Sequence, residues 1–129
     1  MEDSAVTVMI VDDQAPFRMA ARMVVQLTDG FDVVGEAETG EASIEMAAHL
    51  QPDLVLMDFN LPGIDGMEAT RRIRESGRTS PVVVMLSTYE ADEYGPRALQ
   101  AGAAAFIPKS EFDPDRLADA WHEAVGAAS

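Results

Sequence analysis

Residues 53–66 read Asp53-Leu54-Val55-Leu56-Met57-Asp58-Phe59-Asn60-Leu61-Pro62-Gly63-Ile64-Asp65-Gly66. Four apolar residues, Leu54 to Met57, run straight into a carboxylate, Asp58, and the chain then turns through Leu61-Pro62-Gly63. A short unbroken apolar run bounded by turn signals is a strand buried on both faces. A carboxylate at the end of such a strand sits on the rim of the sheet, where open α/β sheets place their chemistry. Asp58 is therefore the first candidate active group.

The same pattern recurs on both sides. Val6 to Val11 is β-branched and apolar, a buried first strand that ends in Asp12-Asp13. Phe17, Ala20, Ala21, Val24 and Leu27 follow at helical spacing, with Pro16 in the first turn and Asp29-Gly30 as the stop. Phe31 to Glu38 alternates only partly, as an edge strand does. Thr39 caps a second helix with Ile44, Ala47, Ala48 and Leu50 inward, ended by Gln51-Pro52. After the opening strand, a third helix is predicted from about Ile64 to Ser76, with Met67, Ala69, Thr70 and Ile73 inward and Gly77 closing it. Val82 to Leu86 is a buried strand ending in Ser87-Thr88. The fourth helix runs toward Gly102 with Tyr94, Ala98, Leu99 and Ala101 on its apolar side. Gly95-Pro96 falls inside it, so it is expected to start near Pro96 or to kink there. Ala103 to Ile107 is the fifth strand. Asp113 and Pro114 open a last helix carrying Leu117, Ala118, Trp121, Ala124 and Val125. Strands alternating with helices over short connections predict a doubly wound α/β fold, a parallel sheet with helices on both faces.

Composition narrows the chemistry. The 129 residues are 47% hydrophobic and 25% charged, as in an ordinary soluble globule of one domain. With no cysteine, disulfides, thiolate catalysis and Cys-based zinc sites are excluded. No apolar run approaches the roughly 18 residues of a membrane span, and the acidic start Met1-Glu2-Asp3-Ser4 is the reverse of a signal peptide. A net charge of −14 repels nucleic acid and favours divalent cations or basic protein surfaces as partners.

The residues just after the buried strands form a set: Asp12 and Asp13, Asp58, Ser87 and Lys109. All lie at carboxyl ends, hence on one rim. Singly, each reads as a turn residue, a helix cap or a solvated lysine. Together, three carboxylates need a counter-charge and suit Mg²⁺, which prefers hard oxygen ligands. A lysine and a hydroxyl complete what phosphoryl transfer asks for, and one carboxylate is a potential nucleophile.

At this point the chain resembles the receiver domains of bacterial two-component response regulators. The resemblance rests on Val11-Asp12-Asp13, on Leu56-Met57-Asp58 with Leu61-Pro62-Gly63-Ile64-Asp65-Gly66, on Ser87, and on Ala101-Gly102-Ala103 leading to Phe106 and Lys109. It covers about Val6 to Val125. It implies a flavodoxin-like (βα)5 fold with strand order 2-1-3-4-5, a receiver domain over residues 5–127. The wording is closest to the subfamily with helix-turn-helix output domains, and no output domain is expected here. By resemblance, Asp58 is the phospho-acceptor. Asp12, Asp13 and Asp58, with the backbone carbonyl of Asn60, bind Mg²⁺. Ser87 and Lys109 contact the phosphoryl group, and Ser87 with Phe106 forms the switch. The donor is a sensor histidine kinase, a phosphotransfer protein or a small phosphodonor. The output is binding to a downstream protein through the fourth helix, fifth strand and fifth helix, in the cytoplasm, with no direct nucleic acid or membrane contact. Such a module catalyses its own modification and turns over no free substrate.

Three features depart from the family pattern. Phe106 lacks the hydroxyl of the Tyr often found there, so the switch must act through packing. Pro108 precedes Lys109, and Ser110 follows it, so no cis Lys109–Ser110 bond is expected. Gly95-Pro96 points to an atypical output face. Other residues have plainer roles. His49 and His122 are surface residues. Arg71, Arg72, Arg74 and Arg78, interspersed with Glu68 and Glu75, form a solvated face or else a docking patch. Met19 and Met23 are partly buried or face a kinase. Asn60 and Tyr89 are loop residues that flank the pocket or control its water. Rival functions are an aspartyl-phosphate-forming phosphatase, a flavodoxin-like cofactor binder and a receiver-like scaffold that is never phosphorylated. A phosphatase of that kind carries its nucleophile after the first strand with a second Asp two residues on, so the adjacent Asp12-Asp13 and a nucleophile on the third strand argue against it; Asp12-Asp13 would also repel a cofactor's phosphate.

Overall fold

The computed structural model describes residues 5–76, 80–88 and 91–128. Five strands, β1 (Val6–Val11), β2 (Phe31–Ala37), β3 (Leu54–Asp58), β4 (Val82–Ser87) and β5 (Ala105–Pro108), alternate with five helices. These are α1 (Ala15–Gln26), α2 (Gly40–Leu50), α3 (Gly66–Ser76), α4 (Ala91–Ala101) and α5 (Pro114–Ala128). All strand pairs are parallel, in the order β2-β1-β3-β4-β5. This is the predicted doubly wound flavodoxin-like fold, with β2 at one edge.

Successive strand residues point to opposite faces, so each apolar run feeds two cores. Met9, Val11, Val55, Met57, Val83 and Met85 pack on one face with Ala47 of α2, Ala69 and Ile73 of α3 and Ala98 of α4. Val8, Ile10, Leu54, Leu56, Val84 and Leu86 pack on the other with Ala21 and Val25 of α1 and Leu117 and Ala120 of α5. That is why β3 and β4 read as continuous hydrophobic stretches. At the amino end of β3, the Asp53 carboxylate accepts from the Thr7 backbone N–H at 3.0 Å and the Thr7 hydroxyl at 3.1 Å. The Asp53 N–H donates back to Thr7 Oγ1 at 2.9 Å. Asp53 thus ties two strands, while Asp58 at the other end of β3 meets the functional rim.

Several boundaries and faces differ from expectation. Helix α1 buries Ala21, Val25 and the following Thr28, while Ala20 and Leu27 are exposed. The apolar stripe is turned by one position because α1 carries apolar residues on two faces. Helix α2 has its Thr39 cap, which accepts the Ala42 N–H. It buries Ser43 and leaves Ala48 outside, while Leu50 is 41% exposed with its Cδ1 against Gly35 of the edge strand. In α4, Leu99 faces out; in α5, Val125 does, and Ala120 is inward instead. Helix α3 begins at Gly66, two residues after Ile64, and β5 begins at Ala105.

The late start of the fourth helix is wrong. Helix α4 begins at Ala91 and continues through Pro96 to Ala101. The proline forfeits one bond to the carbonyl four residues back, but Gly95, Ala98 and Ala101 are buried, and that tertiary packing outweighs the local loss. The helix is not shortened, so a late start gives no ground for an atypical output face. Gly77, Arg78, Tyr89 and the side chain of Tyr94 lie outside the described residues.

Candidate functional site

The register brings the carboxyl ends of the strands to one rim. Val11 pairs with Met57, Asp58 with Leu86, and Ser87 with Pro108. Asp12, Asp58, Ser87 and Lys109 therefore follow one another across neighbouring strands.

Asp58 is 5% exposed. Its position is held by a tight return of the chain. The Phe59 N–H extends the ladder to the Leu86 carbonyl at 2.8 Å, and the Gly66 N–H donates to the Phe59 carbonyl at 3.1 Å. A Cβ at Gly66 would stand 2.2 Å from the Asp58 carbonyl oxygen, so only glycine fits. Gly63 takes a positive φ of 75° against the Glu41 carboxylate, which accepts the Ile64 N–H at 3.4 Å. Asp65 then caps α3 by accepting the Glu68 N–H at 2.8 Å. The Leu61-Pro62-Gly63 turn is thus fastened at both ends.

Asp12 is 1% exposed. Its N–H continues the ladder to the Ala37 carbonyl at 3.0 Å. Its Oδ1 accepts the Gln14 N–H at 2.8 Å and its Oδ2 accepts the Lys109 ammonium at 2.7 Å. Its own carbonyl accepts Arg18 Nη1 at 2.7 Å. Arg18 also pairs with Glu36 at 3.3 Å, and Arg22 pairs with the same Glu36. Sequence reading did not single out Arg18; its spacing on the helix after Asp12-Asp13 was the available signal. Asp13 is exposed. Carboxylate oxygens of Asp12, Asp13 and Asp58 all lie within 4.8 Å of one another.

Lys109 follows Pro108 and opens a 3₁₀ turn, Lys109–Glu111. Its ammonium reaches Asp58 Oδ1 at 3.3 Å as well as Asp12, so its shorter bond is to Asp12. The ring of Phe17, expected only as core, lies 4.3 Å from the ammonium. Ser87 is 1% exposed on the same rim. Phe106 packs edge-on against Phe59, a contact that sequence reading missed because β5 and the residue after β3 lie far apart in the chain. The backbone N–H of Asn60 donates to Asp58 Oδ1 at 3.4 Å, while its side chain is exposed. No cis peptide bond occurs among the described residues. His49 and His122 are exposed, as expected. Arg71 and Arg72 pair with Glu68. Arg74 instead folds onto the Pro81 carbonyl at 2.9 Å and is tied into the structure.

The electrostatics follow from this crowding. Burial, and then the negative charge of Asp12, push the Asp58 carboxyl up to about 6; Lys109 and the Asn60 N–H pull the other way. One ammonium pairs with two of the three carboxylates. That donor set, all hard oxygens within reach of a single ion, fits a divalent cation.

This rim and this fold define a class. The family model of the response regulator receiver domain matches residues 8–122, and the chain belongs to that family of two-component signalling domains. It is 35% identical over 120 residues to the nitrate/nitrite response regulator protein NarL of Escherichia coli (strain K12), across 92% of this chain and 54% of that protein. It is 41% identical over 104 residues to the response regulator GacA of Pseudomonas viridiflava, across 81% of this chain and 48% of that protein. The chain spans about half the length of these curated relatives. Among solved structures, a two-component response regulator of the LuxR family from Aurantimonas sp. SI85-9A1 superposes with a TM-score of 0.84 at 30% identity, over 95% of this chain and 87% of that one. No helix among the described residues is long and apolar enough to cross a membrane.

Proposed function

We propose that this receiver domain, read over residues 5–127, accepts a phosphoryl group on Asp58 from a phosphohistidine of a sensor kinase or phosphotransfer protein, in the cytoplasm. The observation that carries this reading is the Lys109 ammonium shared between Asp12 and Asp58 beside a third carboxylate. Lys109 engages Asp58 Oδ1, which leaves Oδ2 to attack phosphorus. The O–P bond forms as the P–N bond of the phosphohistidine breaks, and the imidazole leaves with its proton. Asp12, Asp13, Asp58 and the backbone carbonyl of Asn60 would hold Mg²⁺, which when bound supplies positive charge to the phosphoryl oxygens.

Lys109 has only to extend from Asp12 to meet a phosphoryl oxygen, and the buried Ser87 hydroxyl stands on the rim to donate to another. Phe106 is the packing partner through which the change passes to the surface of α4, β5 and α5, shifting its population toward the form that binds a downstream protein. The donor meets an apolar stripe along α1: Met19, Met23 and, at the end of the helix, Leu27 are 68%, 61% and 71% exposed. The domain catalyses only its own phosphorylation and dephosphorylation, and its acidity disfavours direct nucleic-acid contact.

The test is incubation with Mg²⁺ and acetyl phosphate. Wild type is expected to gain about 80 Da, and Asp58→Asn to gain nothing. Omitting Mg²⁺ should abolish the gain. No gain from either acetyl phosphate or a cognate kinase would make the domain an unphosphorylated scaffold. Steady hydrolysis of a free phosphate monoester would make it a phosphatase.

A further inference from the structure

Lys109 is enclosed on three sides. Its ammonium donates to Asp12 at 2.7 Å and stands 3.3 Å from Asp58. The third side is the face of the Phe17 ring, 4.3 Å from the ammonium to the ring centroid. The Lys109 side chain is 16% exposed, so little water competes for that ammonium. Phe17 comes from the first turn of α1, whose Pro16 sets the start of the helix. The next residue, Arg18, bonds the Asp12 carbonyl at 2.7 Å. Ring and carboxylate are thereby fixed to each other.

An aromatic face attracts a cation through its quadrupole at distances up to about 6 Å, most strongly where water is excluded. Unlike a further carboxylate, the ring imposes no bond direction. The ammonium stays in place yet can turn its hydrogens from one oxygen to another. An aliphatic side chain would fill the same space without that attraction.

We propose that Phe17 is a positioning residue for phosphoryl transfer: its ring face holds the Lys109 ammonium at the shared edge of Asp12 and Asp58. The inference rests on the reading of Asp58 as the phosphoryl acceptor.

Two measurements test it. In the NMR spectrum, the Lys109 Hε protons of wild type are expected upfield from the Phe17 ring current, and back at ordinary positions in Phe17→Leu. Unshifted protons in wild type would remove the contact and overturn the proposal. Second, Phe17 is replaced by monofluoro-, difluoro- and trifluorophenylalanine, which keep the ring shape and weaken its quadrupole stepwise. The rate of Asp58 phosphorylation by acetyl phosphate with Mg²⁺ is expected to fall stepwise, by about three- to tenfold with three fluorines. Equal rates across the folded series overturn the positioning role alone. A wild-type domain that takes up no phosphoryl group overturns the reading of Asp58 and this inference with it.

Discussion

The ring of Phe106 stands edge-on to the ring of Phe59, with centroids 6.1 Å apart and planes at 73°. Phe59 directly follows the candidate acceptor, and Phe106 sits on β5 opposite Met85, in the strand against which α4 packs. One aromatic contact therefore joins the acceptor's neighbour to the surface proposed for output. With no hydroxyl on Phe106, packing is its only means of reporting what happens at Asp58.

Phe106→Ala removes this contact and opens space beside a buried ring. The substitution is expected to lower stability by about 2 kcal/mol in denaturant unfolding, because Phe106 is only partly buried. Phosphoryl uptake by Asp58 should persist, since Phe106 does not touch the carboxylate cluster. An unchanged unfolding midpoint would show that the pair contributes nothing.

The pH dependence of stability should reveal Asp58. Its carboxyl is raised from 3.8 to about 6, by burial first and by Asp12 second. Between about pH 4 and 6 the folded domain keeps a proton that the unfolded chain has released. Stability from this group is fully present below about pH 4 and is lost as pH rises through about 6. Asp58→Asn abolishes that loss. Without divalent cations, the variant should be more stable than wild type at pH 7 by about 3 kcal/mol, the gap closing toward pH 4. A gap that grows on acidification would contradict the raised value.

The close approach at Gly66 makes a sharp contrast with Gly126. A Cβ at Gly66 meets the Asp58 carbonyl oxygen at 2.2 Å, and one at Gly126 meets nothing within 4 Å. Gly66→Ala is expected to destabilise by about 3 kcal/mol and to slow phosphoryl uptake by moving the acceptor strand's end. Gly126→Ala, on the exposed side of α5, should stabilise by up to about 1 kcal/mol. Thermal unfolding of both variants checks the pair.

Thr70 carries a buried hydroxyl, Oγ1, with no hydrogen-bond partner. Thr70→Val keeps the shape and removes the unsatisfied group. A gain of about 1 kcal/mol in denaturant unfolding is expected. A loss would mean that the hydroxyl makes a bond in solution that this arrangement lacks.

Much of the site is legible in the amino-acid sequence. The strands announce themselves as short apolar runs, and the residue after each run lands on the rim. That rule alone finds Asp12, Asp13, Asp58, Ser87 and Lys109. The helix faces are less legible. Met19, Met23 and Leu27 are apolar but exposed, and periodicity alone cannot tell which of two apolar stripes of α1 meets the sheet. Pro96 points to a helix break by a local rule, and buried contacts at Gly95, Ala98 and Ala101 override it.

Chain order and the alternation of side chains are local properties. They are enough to determine a doubly wound parallel sheet and one chemical rim. Which rim groups touch is not local. The sharing of Lys109 between Asp12 and Asp58, the ring of Phe17 over its ammonium and the meeting of Phe59 with Phe106 depend on the lateral register of strands far apart in the chain. That register is decided only when both faces of the sheet are buried together, because a slip of one residue would exchange the two cores.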